Sequence, residues 1–449
     1  MSDMTQIDQS SILDSLITMA RQAGAEAADA VIGRSVSLSV GERLGKKEKL
    51  ERAESRDLGL RVLVGKRQAI VSTSDFAPAS LKELAERAVA MARAVPEDPF
   101  CGLAEAGQLA RDWPQLDLCD ASEPSEGRLS ELVRAAEDAA RSVAGVTNSE
   151  GAEAGYGRSE VMLATSHGFL GGYAASHFGL SVSVLAGSGT GMERDYDYSS
   201  TVYLADLEDP VKLGRSAGER AVRRLNPRKP KTAALPVVFD PRISNSIVGH
   251  LVGAINGASV ARGTSFLKDK MGEMVLADGL DIVDDPHRPR GLRSRPFDGE
   301  GLPTTAKKLV DGGRLATWLL DCRSARQLGL VSNGHASRGT SGPPSPSPSN
   351  VHMAAGRTSV KELIGAITEG FYVTELIGSG VNGVTGDYSR GAAGFWIEKG
   401  ELAFPVSELT IAGNLKDMFK ALTPADDLVF RYGTNAPTLR IDGLTIAGA

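Results

Sequence analysis

The sequence predicts an α+β protein of three units: an N-terminal α/β unit, a middle antiparallel meander, and a C-terminal mixed, mostly antiparallel β unit with helices. Three observations predict it. Helical and strand periods alternate over the first hundred residues. A long Gly/Ser/Val stretch then alternates with period two, and the last two hundred residues mix capped helical runs with hairpin signals. The expected spans are 1–105, 106–228 and 229–449.

In the first unit, Ile12, Leu13, Leu16, Ile17 and Ala20 recur at helical spacing, with a stop near Gly24. Strand-like runs Leu58–Val64 and Gln68–Thr73 flank Gly65-Lys66-Arg67 as a tight hairpin. Leu81, Leu84, Ala85, Ala88, Val89 and Ala92 mark a second helix ending before Pro96. The Pro-, Asp- and Gly-rich stretch 96–124 reads as a linker. The second unit opens with a helix (Leu129, Leu132, Val133, Ala136, Ala140). It continues as an antiparallel meander from Val146 to Leu204 and closes with a polar helix around Asp209–Leu225. The third unit begins with strand Leu235–Phe239. Asp240 and Pro241 then supply an N-cap and a first-turn proline for a helix to about Ser259. A hairpin turns at Asp311-Gly312-Gly313. The run Gly342–Asn350, with four prolines lacking amide donors, reads as an extended surface segment, either a plain linker or a lid.

Composition narrows the function. Lys+Arg 50 against Asp+Glu 56 gives a net charge of −6, with no electrostatic case for nucleic acid. No apolar run approaches the roughly 20 residues needed to cross a bilayer, and the first residues lack a leader pattern. Three scattered cysteines, Cys101, Cys119 and Cys322, suit a reducing compartment and make no disulfide framework. Together these predict a cytoplasmic protein.

Candidate chemistry is sparse. Gly378-Ser-Gly-Val-Asn-Gly383 spells GxGxxG after a strand-like run, but the residues that follow do not open a helix, which a dinucleotide site requires. None of the six histidines pairs with another at i, i+4. His250 falls at the edge of the apolar stripe Ile243, Ile247, Leu251 and Ile255, the place of a hydrogen-bonded border histidine. Glu193, Asp195 and Asp197 share one face of a strand and read as solvated, with no evident base or metal beside them.

Three stretches, Ser332–Asn350, the glycine-rich Gly383–Gly413 and Asn435–Gly448, together resemble the TldD/PmbA family, once called modulators of DNA gyrase. The resemblance implies a cytoplasmic peptidase system acting on unfolded peptides, in which a TldD-type subunit binds zinc through HExxxH plus a late cysteine. The matching helix here reads Gly249-His-Leu-Val-Gly-Ala-Ile255. Leu251 stands where the general-base glutamate belongs and Ile255 where the second histidine belongs, and no cysteine follows Cys322. A catalytic zinc needs about three protein ligands and a base to activate water. The resemblance is therefore to the PmbA/TldE-type subunit, with no cofactor of its own and zinc expected in a TldD-type partner. A heterodimer with that partner and a homodimer are both open. The C-terminal unit is expected to form a peptide channel. There the glycine-rich segment, a backbone-exposing loop followed by a hairpin, would hold extended peptide by main-chain hydrogen bonds, with Asp387, Tyr388, Ser389 and Arg390 as the contact surface or as purely structural residues. Two other readings stay open: a metallopeptidase active on its own, and a peptide-binding adaptor without a peptidase partner.

Overall fold

The computed structural model describes residues 2–448, with side chains from Gln9 onward; Met1, Ala449 and the side chains of residues 2–8, on which the expectation about a leader falls, lie outside the described residues. Helix α1 (Ser2–Gln22) precedes three strands, β1 (Ala27–Arg43), β2 (Lys46–Val64) and β3 (Arg67–Thr73), and then α2 (Pro78–Ala94). After α3 (Glu126–Arg141) come β4 (Val146–Thr165), β5 (Leu170–Ala186), β6 (Glu193–Thr201) and α4 (Pro210–Arg223).

These six strands form one antiparallel sheet, in the order β3-β2-β1-β4-β5-β6. The β1–β4 pairing, from Asp29↔Thr165 to Glu42↔Ala152, makes the sheet continuous from the first expected unit into the second. Period-two alternation divides its faces. Ala28, Ala30, Ile32 and Leu60 are buried under α1 and α2, while Val40, Ala154 and Val182 on the same face lie under α3 and α4. The opposite face, at Val31 and Leu163, meets Phe169 and Phe297. Strand β1 and the charged half of β2 escaped the sequence reading for a physical reason. Their Ala, Gly, Ser and Lys/Glu residues bring little hydrophobic contrast, and backbone pairing over the whole length of β1 holds them instead.

The stretch 96–124 has little regular structure yet is not a free linker. Arg326 Nη1 donates to the carbonyls of Phe100 and Gly102, Ala110 N–H donates to Gly301 O, and Cys101, Leu103 and Leu118 are buried.

In the C-terminal part, β7 (Ala233–Phe239) leads into α5 (Pro241–Ala254), whose N-cap Asp240 accepts from Arg242 N–H with Pro241 in the first turn. The helix expected to run to Ser259 breaks earlier. Asn256 accepts from Ala258 and Ser259 N–H and starts α6 (Gly257–Ala261), and a Cβ on Gly257 would come 2.5 Å from Leu319 O. Six short strands follow: β8 (Ile282–Asp284), β9 (Lys307–Asp311), β10 (Arg314–Leu315), β11 (Ala336–Ser337), β12 (Ser345–Pro346) and β13 (Val351–Met353). Then come β14 (Glu369–Val381), β15 (Asp387–Glu398), β16 (Glu401–Asn414), β17 (Leu422–Pro424), β18 (Thr434–Asn435) and β19 (Leu439–Ala447). Strands β16-β15-β14-β7-β19 close into a barrel because β16 also pairs with β19, at Ile411↔Ile446. The largest core lies between this barrel, α5 and the small sheet β10-β9-β8-β13-β18.

The Pro/Ser run is extended, as its prolines dictate, but it is neither a plain linker nor a lid. Pro344 and Pro346 are buried and β12 pairs with β11. Asp284 accepts from Ser349 N–H and from His335 Nε2, and Asn350 Nδ2 donates to Asp285 O. The residues just before it, Arg338 to Thr340, form a strap across β2 of the N-terminal sheet: a Cβ on Gly59 would lie 2.1 Å from Thr340 O.

Candidate functional site

Helix α5 and strand β15 bring the sequence-predicted residues together. Gly383–Gly413 contains the expected hairpin, β15–β16, but its glycine-rich lead is no open loop, because β15 also pairs with β14. Tyr388 pairs with Val381 on one side and Gly413 on the other, and Ser389 with Gly380 and Ala412. Both edges of this stretch of β15 are therefore used, so main-chain strand addition is not open to it and any contact must come from side chains. The glycines serve the chain itself. A Cβ on Gly380 would lie 2.2 Å from Ser389 O, and Gly378 and Gly380 sit within β14 with no helix after Gly383, which removes the nucleotide reading.

Alternation splits the four residues two and two. Asp387 and Ser389 are exposed. The Asp387 carboxylate accepts from Thr385 Oγ1 at 2.6 Å and Asn414 Nδ2 at 3.0 Å, bonds that hold it below the usual carboxylate range and tie the start of β15 to the end of β16. Tyr388 and Arg390 face the other way. Tyr388 is 1% exposed, its ring edge-on to His250 with centroids 5.8 Å apart. Neither the Tyr388 hydroxyl nor His250 Nε2 has a hydrogen-bond partner among the described residues, so His250 sits at the stripe's border as expected but without a bond to that nitrogen. Burial pushes Tyr388 up to about 12 and His250 down, with the nearby Arg390 charge also lowering His250; both groups are neutral at pH 7. Arg390 Nε reaches only Ile377 O, at 3.4 Å.

The zinc position does not fit a metal. Leu251 and Ile255 are 1% and 0% exposed, in the same core cluster as Phe371 and Leu439. Where ligands would stand, aliphatic side chains fill the space. Among the described residues no group of three or more His, Cys, Asp or Glu is placed to hold a metal ion.

Models of three successive PmbA/TldA metallopeptidase domains match the chain: domain 1 over residues 28–92, the central domain over 119–225 and the C-terminal domain over 232–448.

The chain belongs to the PmbA/TldD family.

It is 37% identical to the metalloprotease PmbA of Escherichia coli, covering 100% of this chain and 99% of that one, and 37% identical to a PmbA homologue of Haemophilus influenzae over 96% and 94%. A Bacteroides thetaiotaomicron crystal structure named for modulation of DNA gyrase superposes with a TM-score of 0.91 at 26% identity, covering 98% of this chain and 99% of that one. The TldE structure from Thermococcus kodakarensis shares the fold, with a TM-score of 0.86 at 23% identity over 97% and 100%. Within this PmbA/TldD member no described helix is long and apolar enough to cross a membrane.

Sequence reasoning missed the charges that join the parts. The acidic strand is buried rather than solvated: Asp195 pairs with Arg242 of α5 at 2.8 Å and Asp197 with Arg220 at 2.9 Å. At the strap, Asp29 accepts from Arg61 Nε at 2.9 Å and meets Arg338 Nη2 at 2.7 Å, all three side chains at most 4% exposed. Beside them burial raises Asp298 and Glu300, keeping Glu300's proton toward neutral pH. The available signal was faint: lone charged residues in otherwise apolar or small-residue strand runs.

Proposed function

We propose that this chain is the non-catalytic, PmbA/TldE-type subunit of a cytoplasmic TldD/TldE zinc metallopeptidase system that degrades or matures unfolded peptides. One observation carries the reading: Leu251 and Ile255 are sealed into the core where a general base and a second ligand would have to face a metal. No reaction step is routed through zinc in this chain. Its work is to pair with a TldD-type subunit, as a heterodimer, and to hold peptide along the C-terminal unit. Of the β15 residues, Ser389 is the proposed peptide contact on the exposed face and Arg390 the one on the opposite face, supported by exposure of the first and by the single long hydrogen bond of the second. Asp387 is committed to its hairpin, and Tyr388 backs the wall.

The test is peptide cleavage by this chain alone, a TldD-type chain alone and the mixture, with zinc measured in each. The expected result is full activity only in the mixture and sub-stoichiometric zinc in this chain. One tightly held zinc together with cleavage by this chain alone overturns the reading. A mixture no faster than the TldD-type chain alone favours the adaptor.

A further inference from the structure

A cavity of about 80 Å³ lies between the strap and the face of the N-terminal sheet that the helices leave free. Val31, half-buried Val161, Leu163 and Phe297 form its apolar walls, and Arg295 and Arg338 line it as well. The Arg338 side chain is 1% exposed. Its Nη2 is ion-paired with Asp29 at 2.7 Å, but none of its three nitrogens makes a hydrogen bond among the described residues, and neither does Nε of Arg295. The other Arg295 nitrogens are spent on neutral carbonyls, Ala336 O and Ser347 O. The carboxylate that lines the cavity, Asp298, is already satisfied: Oδ1 accepts from Glu300 and Leu302 N–H and Oδ2 from Ala336 N–H. Burial lowers Arg338's basicity, as expected of a cation short of counter-charge.

Buried N–H donors on guanidinium are costly to leave unpaired. Their planar fork suits a carboxylate better than a tetrahedral phosphate, which would tolerate apolar walls poorly. We propose that this cavity is a binding site for a carboxylate carried on a small apolar group, with the carboxylate on Arg338 and Arg295 and the apolar group against Val31, Leu163 and Phe297. The bearer is the free C-terminus of a peptide ending in an aliphatic residue, an assignment that rests on the peptide reading above; a free short-chain acid has the same chemistry.

The test is titration calorimetry on the full chain alone, with acetyl-Ala-Ala-Leu as the free acid, its C-terminal amide, and isovalerate. Arg295→Met removes one guanidinium, and Val161→Phe adds bulk at a lining residue without touching the Asp29 pair, so neither depends on a variant that unfolds; thermal unfolding checks both. The free acid is expected to bind at least about tenfold more tightly than the amide, and each variant to weaken it by about tenfold or more. Isovalerate binding as tightly as the peptide supports the site and names a small acid as its ligand. Equal binding of acid and amide, acid binding unchanged in both variants, or no binding of either acid up to millimolar concentration overturns the proposal. Because no cleavage is read, failure here leaves the subunit reading standing, and failure of the mixing assay leaves this site standing.

Discussion

Replacing Gly59 by alanine should detach the strap from the N-terminal sheet. Gly59 lies in β2, paired with Val31 and Ser72, on the face away from the helices. A Cβ built there would lie 2.1 Å from Thr340 O and 2.7 Å from both Thr340 C and Cα. Cβ contacts under 3.0 Å are essentially never seen, so the strap must move by about 1 Å, and the obstacle is backbone rather than a side-chain tip that could turn aside. Overpacking of this kind costs about 1–3 kcal/mol. The loss grows if Arg338, two residues before Thr340, is drawn off Asp29. Chemical denaturation should show that loss, and limited trypsin digestion should cut after Arg338 in Gly59→Ala but not in the wild type. Gly107→Ala, where a Cβ meets nothing within 4 Å, is the control and should stay within about 0.5 kcal/mol. If Gly59→Ala matches that control and Arg338 stays resistant, the strap is not seated as described.

Asp29→Ala leaves Arg61 and Arg338 buried without their shared carboxylate and should cost about 3–5 kcal/mol in denaturant unfolding. Tyr388→Phe removes a buried hydroxyl that has no partner, so stability should be unchanged or rise by up to about 1 kcal/mol; a clear loss would mean the hydroxyl is bonded in solution. Burial pushes Asp284 up, but hydrogen bonds from His335 and Ser349 outweigh it, so its folded pKa lies below the ordinary value. The stability it contributes is present above the unfolded pKa, about 4, and is lost as pH falls through the folded value. Asp284→Asn should therefore start less stable at pH 7 and show a shallower loss on acidification; parallel acid unfolding curves would contradict this.

The helices α2, α3 and α5 were legible because each carries a local signal: an apolar stripe at 3.6 spacing and, for α5, Asp240 as N-cap. The zinc-less helix was legible for the same reason, since Leu251 and Ile255 are read directly from the chain. Strand β1 was not, because Ala27–Arg43 earns its place through partners more than a hundred residues away in β4. The glycine-rich lead of the β15–β16 hairpin reads as an exposed loop for a related reason. Gly380 and Gly394 look like flexibility along the chain, whereas in space they let neighbouring strands touch: a Cβ on Gly394 would lie 2.0 Å from Tyr372 O.

By itself, then, the sequence determined the α+β class, the family, and the absence of the zinc ligand pattern on α5, all of which depend on residue type and short spacing. Only the tertiary structure decided that Leu251 and Ile255 seal the vacated position, that Asp195 and Asp197 are buried in ion pairs, and that Asp29, Arg61 and Arg338 meet under the strap. Those facts turn on desolvation and long-range contact. A charge in a strand has the same sequence signature whether it faces water or an arginine brought from three hundred residues away.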